Sequence, residues 1–112
     1  MEIMVYVRFF FDDHVQKDSS KNKIISNLKD LIDLPNSKLD VNTDVIVMHL
    51  ERQNFDWEKV VFELISLSQK IAHSWIITGN IGFDYSAFSN RPKISGLKAI
   101  NIECRNPIYN VS

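Results

Sequence analysis

The chain has 112 residues, 45% of them hydrophobic and 24% charged, with a formal net charge of -1 and one cysteine. That length suits one domain with a real core, and the even charge gives no pull toward nucleic acid or an anionic membrane. A lone cysteine excludes an internal disulfide, and no run approaches the roughly 20 apolar residues of a membrane span.

The first residues, MEIMVYVRFFFDDH, are apolar but do not read as a signal peptide. Glu2 stands where a basic region belongs, Arg8 interrupts the apolar run, and no small-residue cleavage site follows. A single cytoplasmic domain over residues 1–112 is the expectation.

Residues 2–11 alternate as a strand, with Ile3, Val5, Val7, Phe9 and Phe11 on one face and Met4, Tyr6, Arg8 and Phe10 on the other. Apolar groups on both faces predict a central strand, ended by Asp12, Asp13 and His14. Residues 20–34 predict a helix through the stripe Ile24, Ile25, Leu28, Leu31 and Ile32, with Ser19 or Ser20 as cap and Pro35 beyond the end. Its charges oppose the helix dipole: Lys21 and Lys23 come first, Asp30 and Asp33 last. Such placement is tolerated on a solvated surface, or it serves a partner.

Residues 44–51 predict a second strand, with Ile46, Met48 and Leu50 on one face and Val45, Val47 and His49 on the other; residues 39–43 are an extended piece or a loop. Residues 56–72 predict a second helix with a broad apolar face and Asn54 or Asp56 as cap. Its dipole is respected, by Asp56 and Glu58 at the start and Lys70 and His73 near the end. Residues 74–83 predict a third strand, in which Gly79 and Gly82 mark a bulge or a close backbone approach. Residues 94–105 predict a fourth, whose apolar phase changes between Ala99 and Ile100 and so implies a bulge or kink. Residues 106–112 read as irregular.

This order predicts an α/β fold: a two-layer sandwich, with a mixed sheet of about four strands and two helices on one face. The strand–helix–strand units favour right-handed crossovers and parallel pairing. Tyr6, Arg8, Phe10, His49, Thr78 and Asn80 are left for an open sheet face. That mixture of aromatic and polar groups reads as a binding surface, unless a loop or the C-terminal tail covers it.

Between the third and fourth strands, residues 84–92 read as a loop, Asp-Tyr-Ser-Ala-Phe-Ser-Asn-Arg-Pro. Hairpin loops need only two to five residues, so this length implies a purpose. Tyr85, Phe88 and Arg91 are the prominent side chains, and Tyr and Arg are types that carry binding energy at protein interfaces.

Chemical motifs are sparse. Asp12, Asp13 and His14 could ligate a divalent cation, but consecutive residues rarely converge, and all three are ordinary at a strand end. His14, His49 and His73 share no metal-ligand spacing, and Cys104 reads as a buried structural thiol. No serine sits in a nucleophile elbow, and residues 78–82 lack both the phosphate-loop and the dinucleotide pattern. Lys17, Lys21, Lys23, Lys29 and Lys38 are interleaved with Asp13, Asp18, Asp30, Asp33 and Asp40, so no basic stripe forms for nucleic acid. No catalytic residue, metal ligand or cofactor is assigned.

Residues 74–81, Ser-Trp-Ile-Ile-Thr-Gly-Asn-Ile, and the closing Gly-Leu-Lys-Ala-Ile-Asn-Ile-Glu-Cys at 96–104 form a Trp-led strand, a Gly-Asn turn, a polar aromatic loop and a last strand. This half resembles small bacterial toxin-immunity proteins, including those of contact-dependent growth inhibition systems. The resemblance implies a cytoplasmic protein that neutralises a cognate toxin by a one-to-one complex, with no nucleic-acid or membrane partner. Against a basic nuclease toxin it implies contacts from Asp12, Asp13, Asp84 and Glu103, with Tyr85, Phe88 and Arg91 as packing anchors. The opening strand with Asp12 and Asp13 also resembles small CRISPR-associated nucleases of ferredoxin-like fold, although the element order read above departs from theirs. That likeness implies an alternative, a metal-dependent nuclease using Asp12 and Asp13.

Overall fold

The computed structural model describes residues 3–32, 37–52, 56–80 and 82–106. In chain order these form β1 (Ile3–Phe11), α1 (Asp18–Leu31), β2 (Ser37–Val41), β3 (Val45–Arg52), α2 (Trp57–Ile71), β4 (Ile76–Thr78), β5 (Asp84–Ser89) and β6 (Leu97–Arg105). Asp33, Pro35, Asn54, Ile81 and residues 107–112 lie outside the described part.

The strands make one six-stranded sheet in the order β2-β3-β1-β6-β5-β4, and every neighbouring pair is antiparallel. The expected sheet of about four strands is an undercount, and its expected parallel pairs are absent among the described residues. Each helix still joins two strands of the same direction, but other strands lie between them. β3 separates β1 from β2, while β1, β6 and β5 separate β3 from β4. The elements β1-α1-β2-β3-α2-β6, with strand order β2-β3-β1-β6, follow the ferredoxin-like split β-α-β plan. The β4–β5 hairpin is inserted before β6 and extends the sheet past it.

Alternation sets the layers. Ile3, Val5, Val7, Phe9 and Phe11 of β1 are all buried, while the residues between them are half-exposed. The inward row joins Ile46, Met48 and Leu50 of β3, Ile100, Ile102 and Cys104 of β6, and Tyr85 and Ala87 of β5. Ile24 and Leu28 of α1 and Val60, Val61, Leu64, Leu67 and Ile71 of α2 complete the same core, so both helices cover this face. Burying such a side chain contributes about 1.5–3 kcal/mol.

Local chemistry explains the boundaries. Asp56 caps α2, its carboxylate accepting the Lys59 backbone N–H at 3.3 Å. α1 begins before the expected Ser19 or Ser20 cap; Lys17 holds the cap position and supplies no side-chain bond. Asp18 in the first turn and Lys29 in the last suit the dipole, while Lys21 near the start and Asp30 at the end oppose it as expected. β4 stops after three residues because Gly79 turns with φ +85° and the Phe83 and Asp84 N–H groups both bond the Asn80 carbonyl at 2.8 Å. The expected break in β6 is a bulge: Phe10 faces Ala99 but Phe11 faces Leu97, leaving Lys98 extra. Leu97 and Ile100, three apart, can then both be buried.

Candidate functional site

The sheet face away from the helices carries a band of interacting polar and aromatic side chains. Strand register builds it in two rows. One runs Phe88, Asn101, Arg8, Val47, Asp40; the next runs Ser86, Glu103, Tyr6, His49, Lys38. Cross-strand neighbours stand about 4.5–5.5 Å apart at Cβ, so each row is a chain of contacts.

Arg8 is the centre. Its Nη1 donates to Asn101 Oδ1 at 3.2 Å and pairs with Glu103 Oε2 at 3.2 Å. Its guanidinium lies 6.0 Å from the Tyr6 ring centroid. Tyr6 meets His49 edge to face, with centroids 5.2 Å apart at 80°. His49 Nε2 is 3.0 Å from Asp40 Oδ2. The Arg8 side chain keeps 35% of its surface exposed, so it is fixed yet reachable. Toward the β4 edge the band turns apolar, where Ile76 and Phe88 are cross-strand neighbours with 65% and 42% exposure.

The expected site residues do not assemble in one place. Phe88 and Glu103 belong to the band. Thr78 is exposed on the same face, opposite Ser86, while Asn80 lies in the β4–β5 turn. Asp84 starts β5 and supports that turn, its Oδ1 accepting the Asn80 N–H at 3.2 Å. Arg91 follows β5 and is exposed, its carbonyl accepting the His73 N–H at 3.0 Å.

The expected loop over residues 84–92 is instead largely β5, an inner strand between β6 and β4. Tyr85, 1% exposed, is a core side chain rather than a surface anchor. Its hydroxyl is 3.2 Å from that of Ser68, which donates to the Leu64 carbonyl at 2.7 Å, so Tyr85 is the donor between them. Trp75 closes this corner, its Nε1 donating to the Ser68 carbonyl at 2.8 Å.

Asp12 and Asp13 end β1 beside a cleft of about 570 Å³, shared with Lys21, Asp44 and Lys98. Lys98 Nζ donates to Asp13 Oδ1 at 2.7 Å; this bond and the paired charge lower the Asp13 pKa and raise that of Lys98. His14 Nε2 lies 4.0 Å from Asp12 Oδ2. Among the described residues, no three His, Cys, Asp or Glu side chains are grouped to hold a metal ion. Cys104 is buried, and burial pushes its thiol up to about 12.

Two members of the band, Asn101 and Asp40, were not singled out from the sequence. Asn101 could have been found from the alternation Ile100, Asn101, Ile102, Glu103, Cys104, which points it outward. Asp40 reaches His49 only through the β2–β3 register. Compared with models of protein families, with curated proteins and with solved structures, the chain finds no match. No helix among the described residues is long and apolar enough to cross a membrane.

Proposed function

We propose that this chain is an immunity protein of the contact-dependent growth inhibition type, which acts in the cytoplasm by binding a cognate bacterial toxin domain one to one. The observation that carries the reading is the open face centred on Arg8. Tyr6, Arg8 and Phe88 combine residue types that dominate interface energetics, and Asn101 and Glu103 hold the guanidinium before a partner arrives. Side chains fixed in advance lose less entropy on binding. A sheet face of aromatic rings and balanced charge, with Glu103 paired to Arg8 and Asp40 to His49, fits another protein's surface of mixed charge.

The test is co-expression with the toxin domain encoded by the neighbouring gene of the native genome. The chain should restore growth and form a one-to-one complex, and Arg8→Ala or Phe88→Ala should weaken both. Cell death despite full expression of folded chain would sink the reading.

A second reading is supported by the strand order, which follows the ferredoxin-like plan, and by the place of Asp12 and Asp13 at the end of β1 beside a cleft. It makes the chain a metal-dependent nuclease. Turnover of nucleic acid with Mg²⁺ or Mn²⁺, lost in Asp12→Asn and Asp13→Asn, would establish it; no turnover with either ion removes it.

A further inference from the structure

The two edges of the sheet are built differently. β2 carries Lys38 and Asp40, and charge is a common defence of an exposed edge. β4 carries no charge. Its three residues, Ile76, Ile77 and Thr78, are all exposed, the two isoleucines at 65% and 45%. All are β-branched, the type that fits a pleated surface best. β5 lies on one side of β4, and no strand lies on the other among the described residues. The sequence from Ile71 to Phe83 contains no Asp, Glu, Lys or Arg. A second copy therefore meets this edge without like-charge repulsion. Phe88, 42% exposed beside Ile76, widens the apolar strip on the open face.

We propose that β4 is a self-association edge: β4 of a second copy pairs antiparallel with it about a two-fold axis at Ile77, making one continuous sheet from two. In that register Ile76 of one copy faces Thr78 of the other on the open face. Ile77 faces its own counterpart on the helix side, where its partner in β5 is the buried Ala87. Such an interface is isologous, as most dimer interfaces are. A three-residue edge buries less than the ~1,600 Å² of a standard stable interface, so the dimer is a weak one. The proposal does not depend on the toxin reading, because it concerns the isolated chain and its strand pairing runs along β4, with β5 and β6 between it and Arg8.

Sedimentation velocity of the full chain across about 1–500 μM tests it. The mass should rise from monomer to dimer, and Ile77→Lys should weaken dimerisation by about tenfold or more by opposing two charges on the axis. Ile77→Cys is the companion variant, read by cross-linking. Directly opposed residues across an antiparallel pair stand close enough for a disulfide, and Cys104, 2% exposed, does not compete. Mild oxidation should give a covalent dimer of Ile77→Cys and none of the natural chain. A mass that stays monomeric at every concentration overturns the proposal. So does a dimer that survives Ile77→Lys while Ile77→Cys gives no cross-link.

Discussion

At Arg8, Tyr85 and Cys104 the same sheet sets three different roles. Arg8 points outward, so if the chain binds a toxin as proposed, Arg8→Ala and Phe88→Ala should each cost about 2 kcal/mol of that binding by isothermal titration, with unchanged far-ultraviolet dichroism. Tyr85 points inward, so Tyr85→Ala should lose about 3–5 kcal/mol of stability in urea unfolding. Tyr85→Phe should lose only about 1 kcal/mol, because Ser68 keeps its bond to the Leu64 carbonyl. A binding defect in Tyr85→Phe without a stability change would contradict its core role. The Cys104 thiol is raised from 9.0 to about 12 by burial. Above pH 9 the unfolded chain releases that proton while the folded chain keeps it, so this contribution to stability declines from about pH 9 to about pH 12. Below pH 9 the buried thiol should resist alkylation and react only on unfolding, which a labelling time course in rising urea would show.

Among the elements, those with a strong period were legible in the sequence and those with a polar or short inward row were not. β1, β3 and α2 declared themselves through apolar spacing. β5 did not, because its buried positions are Tyr85, Ala87 and Ser89, which carry little alternation signal. The aromatic rings among small polar residues looked instead like a binding loop. β2 is a polar edge, and β4 is only three residues long. The open face was half legible for the same reason: alternation in β1 and β3 exposed Tyr6, Arg8 and His49. Their partners Asn101 and Glu103 depend on pairing β1 with the distant β6, and Asp40 on the register of the β2–β3 hairpin. Two elements carry tests of their own. α1 lacks a side-chain cap, so Lys17→Asp should raise stability by about 1 kcal/mol, read as a higher urea midpoint. Gly96 has φ +94°, and a Cβ there would stand 2.5 Å from Ile24 Cδ1. Gly96→Ala should therefore destabilise the start of β6, lowering the same midpoint.

For the whole molecule, β6 is the seam. It joins β2-β3-β1 to β5-β4, and it is the last described strand in sequence. The bond from Arg8 to Asn101 spans 93 positions, so closing the sheet needs contacts of high sequence separation. Stopped-flow refolding should accordingly take milliseconds to seconds, and microsecond folding would contradict this topology. The same seam has a consequence during synthesis. β1 is made first, yet one of its two flanks stays bare until β6 has been translated. At about 5–20 residues per second, that interval is roughly 5–20 s. Nascent chains arrested before residue 97 should thus be cut readily by protease. Those arrested beyond residue 105, on a linker long enough to clear the ribosome, should resist it, so the chain passes its most vulnerable seconds with its first strand already made.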